Sequence, residues 1–126
     1  MSEEQVVKDK VDLFPVFKTM YDLVLEFEHA HGHFPKMHKF TVGKRVSTSL
    51  VVALEQIISA IVSEDRRVSA LSNSIVELEK TRILIRLSHD LKAIDTKRYE
   101  RFSRLVVSAL EQVSALLRAA KKSPGK

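Results

Sequence analysis

Three imidazoles at alternate positions, His29, His31 and His33, are the side chains of this sequence best equipped for chemistry. Imidazole suits zinc, nickel and copper. Glu26 and His29 also have the Glu-x-x-His spacing of metal sites built inside helical bundles, but such a site needs a second pair and further inward-facing glutamates, which the other segments do not supply. Alternate residues on a helix point to different sides, so the three rings converge only if the helix unwinds near Gly32. Solvated loop histidines are the expected state. His38 and His89 stand singly, each as suited to packing or capping as to acid–base work. A Gly-rich phosphate loop, a nucleophile elbow, a paired-carboxylate cluster and a metalloprotease motif are all missing from the sequence. The lack of cysteine excludes thiolate nucleophiles and zinc–thiolate sites. A non-enzymatic protein without cofactor or metal is expected.

Positive charge is the stronger signal, and it comes in three groups. Phe34 to Arg45 holds Lys36, Lys39, Lys44 and Arg45 with no acidic residue. Lys97, Arg98, Arg101 and Arg104 stand against the single Glu100 in the first turns of a helix, where cations oppose the macrodipole. Binding of phosphate, or an acidic neighbour from another subunit, would account for that placement. Arg82 and Arg86, four apart, share a helix face set into an apolar seam; they either pair with Glu79 and Asp90 or meet an anion or partner. Lys and Arg total 21 against 16 Asp and Glu, a formal +5, which favours polyanionic partners.

These groups must be held by helices. With 126 residues, only three Gly and three Pro, and an apolar set dominated by Leu, Val, Ile and Ala, the chain reads as one all-α domain. Residues 1–12 read as a mobile or loosely docked lead-in. Leu13, Phe17, Met20, Val24, Phe27 and His31 form one helix face, capped by Asp12, with Pro15 in the first turn and a stop near Gly32. Pro35 makes the connector a corner, Thr41 is the candidate cap of the next helix, and Gly43 lets another backbone come close.

The second helix carries Val46, Leu50, Ala53, Ile57 and Ala60, flanked by Val51, Leu54, Ile58, Ile61 and Val62, a stripe wide enough for a bundle centre or a subunit contact. Glu64 to Arg67 reads as a solvated helix end. Leu71, Ile75, Leu78 and Ile85, with Leu84, Leu87 and Leu91 beside them, mark the third helix. Asp95 or Thr96 caps the fourth, whose heptad runs Tyr99, Phe102, Val106, Ala109, Val113, Leu116 and Ala120. The expectation is an antiparallel up-and-down four-helix bundle over 13–120, with a disordered basic tail over 121–126. The acidic, polar start is unlike a secretory signal, and no uninterrupted apolar stretch approaches the roughly 20 residues that span a bilayer. A cytoplasmic protein with no membrane role is expected.

Phe34-Pro35-Lys36, Phe40-Thr41-Val42-Gly43-Lys44-Arg45, Arg82 to Leu87 and Lys97-Arg98-Tyr99-Glu100 resemble the four-helix-bundle family of Avd, the accessory variability determinant of diversity-generating retroelements. A related branch is encoded in intervening sequences of ribosomal RNA genes. The resemblance covers roughly residues 14–118. It implies a non-enzymatic accessory protein, assembled as a homopentameric barrel, that binds a reverse transcriptase and nucleic acid, whether template RNA or cDNA, in support of mutagenic retrohoming. One departure is plain: many members end the fourth helix in a Gly-Gly-Trp-like segment, whereas this chain has Ser114-Ala115-Leu116-Leu117-Arg118 and no Trp. Under this resemblance Lys36, Lys39, Lys44, Arg45, Arg82, Arg86, Lys97, Arg98, Arg101 and Arg104 are the candidate contacts. The rival is a structural or adaptor bundle whose charge serves only solubility.

Overall fold

Pro15 stands at the first position of a long helix, where its missing N–H forfeits no intrahelical bond. The computed structural model describes residues 2–122, and among them are six helices: α1 (Glu3–Asp12), α2 (Pro15–His31), the single turn α3 (Lys36–Lys39), α4 (Val42–Val62), α5 (Arg67–Asp90) and α6 (Thr96–Lys121). There is no strand among the described residues. The end of the expected basic tail, residues 123–126, lies outside them.

The four long helices form a ring in which each packs on the next and α6 closes back on α2. Side-chain contacts fix their directions. Gln112 Nε2 donates to Thr19 Oγ1 at 3.0 Å, while Arg101 reaches Glu26, so α2 and α6 run antiparallel. Ser47 donates to Glu28 across the α2–α4 corner. His89 near the end of α5 meets Thr96 at the start of α6. Arg67 at the start of α5 donates to the carbonyls of Ala60 and Ile61, at 2.8 and 3.2 Å, in the last turn of α4. Arg67 thus satisfies orphan carbonyls of α4, a more specific role than the solvated helix end expected for the Glu64–Arg67 stretch.

The core follows the expected seams on α4 and α6. Val46, Leu50, Ala53, Ile57 and Ala60 are buried, and so are Phe102, Val106, Ala109 and Val113. Each large one contributes about 1.5–3 kcal/mol over an exposed counterpart. The run Lys36–Val62 is long and apolar enough, by length and composition, to cross a membrane. Its apolar residues are not uninterrupted, because Ser47, Thr48, Ser49, Glu55, Gln56 and Ser59 break the run and Lys36, Lys39, Lys44 and Arg45 precede them. In the bundle its apolar seam faces α2 and α5.

Two faces differ from expectation. On α2 the buried residues are Val16, Met20, Leu23, Phe27 and Ala30, while Leu13 is 79% exposed. Leu13 lies before the helix starts, so counting the period from it turned the stripe; Asp12 closes α1, and Phe14 stands at the α2 cap without a side-chain bond. On α5 the inward line holds Ser74, Thr81 and Ser88 beside Leu71, Leu78 and Ile85. Each hydroxyl donates to a carbonyl of its own helix at 2.8 Å, to Leu71, Glu77 and Leu84 respectively, so burial leaves none of them unpaired. Leu87 and Leu91 face outward instead.

Residues 3–12 are helical as α1, with Ser2 Oγ accepting from the Gln5 amide at 3.2 Å. Val11 is buried where α1 lies against α2 and α4.

Candidate nucleic-acid interface

The up-and-down path puts the end of α2, the α3 connector, the start of α4, the end of α5 and the start of α6 at one end of the bundle. Cutting each long helix at its midpoint assigns residues 24–52 and 79–108 to this connector half. They hold twelve Lys/Arg against six Asp/Glu, whereas the rest of the chain holds nine against ten. All ten candidate cations are in the connector half. So are all five histidines.

Local chemistry shapes the connector. Pro35 accepts from the amides of His38 and Lys39 at 2.8 and 2.9 Å and so nucleates α3. His31 Nε2 lies 2.7 Å from the Lys39 carbonyl oxygen and ties α3 to the end of α2. Thr41 does precede α4, but its hydroxyl donates to the Met37 carbonyl at 3.3 Å and caps nothing on α4. Gly43 has the close approach expected of it, to side chains and not to backbone: a Cβ there would lie 2.7 Å from the His31 ring and 2.9 Å from Phe34.

The cations differ in how far they are already neutralised. Arg82 pairs with Glu79 at 3.6 Å and Arg86 with Asp90 at 4.0 Å, all on the exposed face of α5 and outside the seam in which they were expected. Arg98 meets Asp95 at 2.9 Å. Arg101 makes a bidentate contact to Glu26, Nε to Oε1 at 2.9 Å and a terminal nitrogen to Oε2 at 2.7 Å. These hydrogen bonds hold the Glu26 carboxyl below its ordinary range, against the partial burial that pushes it up. Lys36, Lys39, Lys44, Arg45, Lys97 and Arg104 have no ion pair among the described residues, and Lys39 Nζ lies 5.8 Å from the centre of the Phe40 ring. These six carry the least compensated charge.

Asp95 resolves the apparent conflict at the start of α6. Its Oδ1 accepts from the Arg98 amide at 2.8 Å, so an acidic cap offsets the Lys97 and Arg98 charges at the helix N-terminus. The cluster therefore needs neither a ligand nor a neighbouring subunit for its local stability.

A family model described as bAvd-like matches residues 15–122. The chain belongs to the bAvd-like family. The resemblance carried by the connector and by the Arg82 and Lys97 stretches thus extends through the whole four-helix ring. Membership makes this a protein of the Avd accessory type. The match begins at the first residue of α2, so α1 lies outside it. No curated protein matches the chain. The bAvd-like chain lacks Gly-Gly-Trp at the end of its fourth long helix, yet α6 runs unbroken through Ser114–Arg118, with Leu116 and Leu117 packed at the core margin.

The histidines have separate surroundings. His31 is stacked on Phe27 at 5.6 Å and lies 3.9 Å from Glu28, whereas His89 stacks on Tyr99 at 4.4 Å with its Nε2 3.1 Å from Thr96 Oγ1. His29 and His33 line one depression with Glu26, Arg98, Arg101 and Phe102. Sequence reasoning treated the three alternate histidines as one set. Their i, i+4 relation was the missed signal, since His29 and His33 share a face and His31 does not.

Proposed function

We propose that this bAvd-like chain is a non-catalytic accessory protein of a diversity-generating retroelement, binding nucleic acid and the reverse transcriptase through its connector half. The observation that carries the reading is the concentration of twelve Lys/Arg, six of the candidates without an ion pair, at one end of a bundle whose other half is nearly balanced. Such an end attracts phosphate backbones at long range. Each phosphate neutralised releases condensed counterions, so affinity falls steeply with salt, and without a base-reading element sequence preference is weak. Assembly as a homopentamer would repeat the connector half around an axis and turn a modest charge per chain into a ring.

The test has two parts. Light scattering after size exclusion, at low and moderate salt, gives the mass in solution; a pentamer at both supports the ring, and a stable monomer removes it. Titration with single-stranded RNA and DNA near physiological salt should give saturable binding that weakens as salt rises. Binding to neither polyanion would leave a structural or adaptor bundle.

A further inference from the structure

The depression between the end of α2 and the start of α6 is lined by Glu26, His29, His33, Arg98, Arg101 and Phe102. Four of these six residues carry or can take a positive charge, and one carries a negative one. His33 Nδ1 lies 3.0 Å from the His29 carbonyl oxygen, which makes it the donor and leaves Nε2 facing away from that bond. Arg101 commits Nε and one terminal nitrogen to Glu26 and keeps its second terminal nitrogen without a protein partner among the described residues.

The same residues could be read as a cation site, since Glu26, His29 and His33 have compatible helical spacing. Two guanidiniums in the same depression oppose that, and Glu26 is already held by one of them. Among the described residues no three acidic or imidazole groups come together closely enough to ligate a metal. An oxyanion meets the reverse situation, with two guanidiniums and two imidazoles in the lining and one carboxylate already compensated by Arg101.

We propose that this depression is a phosphate-binding subsite whose occupancy is governed by protonation of His29 and His33. With both imidazoles neutral, Glu26 offsets Arg101 and Asp95 offsets Arg98, so the depression has little net charge. With both protonated it gains two positive charges and two N–H donors. Imidazole is the side chain suited to such a switch in charge, so the subsite should hold phosphate more tightly at lower pH. The charged groups lining it beside the imidazoles are Glu26 from α2 and Arg98 and Arg101 from α6; Asp22, one turn before Glu26, acts on Glu26 and Arg101, and Asp95 from the α5–α6 turn pairs with Arg98. Glu28 lies on the other side, with Ser47 and His31. Binding and protonation are linked, so an occupied subsite takes up protons.

This inference rests on the nucleic-acid reading only for the source of the phosphate, which is either a strand's backbone or a free phosphate. The full chain is titrated at pH 6 and pH 8 with inorganic phosphate and, separately, with a single-stranded oligonucleotide, while the imidazole resonances are followed by NMR. His29 and His33 should shift at pH 6 with either ligand, and far less at pH 8. The double variant His29→Gln, His33→Gln should bind the oligonucleotide several-fold more weakly than wild type at pH 6, with a salt slope smaller by about 1, and equal it at pH 8. Shifts with phosphate but not with the oligonucleotide assign the subsite to free phosphate and overturn its use by a strand's backbone, while saturable binding of the oligonucleotide itself decides the nucleic-acid reading. Binding of the oligonucleotide with an unchanged pH profile in the double variant overturns the subsite and leaves that reading intact. Saturation of His29 and His33 by zinc ion, with no response to phosphate, also overturns it.

Discussion

His31 and Gly43 touch so closely that no side chain fits between them: a Cβ on Gly43 would lie 2.7 Å from the imidazole Cδ2. The ring cannot readily retreat, because it stacks on Phe27 and its Nε2 engages the Lys39 carbonyl. Alanine normally improves a helix by roughly 0.5–1 kcal/mol over glycine. Here overpacking should win, and Gly43→Ala should lower stability by about 1–3 kcal/mol. Urea denaturation measures it. Combining Gly43→Ala with His31→Ala should cost less than the sum of the two single changes, since the second vacates the space that the first needs.

Asp95→Ala should separate stability from binding. Losing the cap should cost about 1 kcal/mol, seen as a lower urea midpoint. Polyanion affinity should not fall, because the change removes an acid from the connector half and releases Arg98. A parallel loss of both would point to a binding surface that depends on the exact start of α6.

Glu26 and Arg101 make an acid-sensitive contact. The folded value of Glu26 is below its unfolded one, so the stabilisation is present above the ordinary glutamate range and disappears as pH falls through the folded value. Wild type should therefore lose more stability than Glu26→Gln between about pH 6 and pH 3, measured by denaturant midpoints at each. Both groups are more than a third exposed, at 47% and 37% for the two side chains, so solvent screening keeps the difference small.

The cations should divide by their partners. Changing Lys36, Lys39, Lys44 and Arg45 together to Gln should lower polyanion affinity and flatten its salt dependence more than changing Arg82, Arg86, Arg98 and Arg101, which already face carboxylates. Filter binding across a salt series gives both slopes, and the slope should fall by about one unit for each phosphate-neutralising cation replaced. Replacing Arg98, Arg101 and Arg104 by Gln should fall between the two sets without unfolding the bundle.

Thr81 tests the small inward line of α5. Its hydroxyl bonds only to a carbonyl of its own helix, so Thr81→Ala should be tolerated, losing about 1 kcal/mol or less. Thr81→Leu should cost about 1–3 kcal/mol by overpacking against α4 and α6. Thermal unfolding distinguishes them.

Much of this molecule follows from the order of its residues. The seams of α4 and α6 repeat at helical spacing, Pro35 and Asp95 mark the starts of α3 and α6 through local backbone chemistry, and the connector with the Arg82 and Lys97 stretches carries the family resemblance. Such features are set within a few turns of chain, so a linear reading reaches them. The face of α5 was less legible, because Ser74, Thr81 and Ser88 look polar until their bonds to the preceding turn are seen. Packing alone decided the rest. Glu26 and Arg101 lie 75 positions apart, and nothing local to either predicts their contact. Likewise, the three basic groups become one charged end only because four antiparallel helices return the chain to the same place. Charge adds in space, and only the tertiary fold says which charges are neighbours.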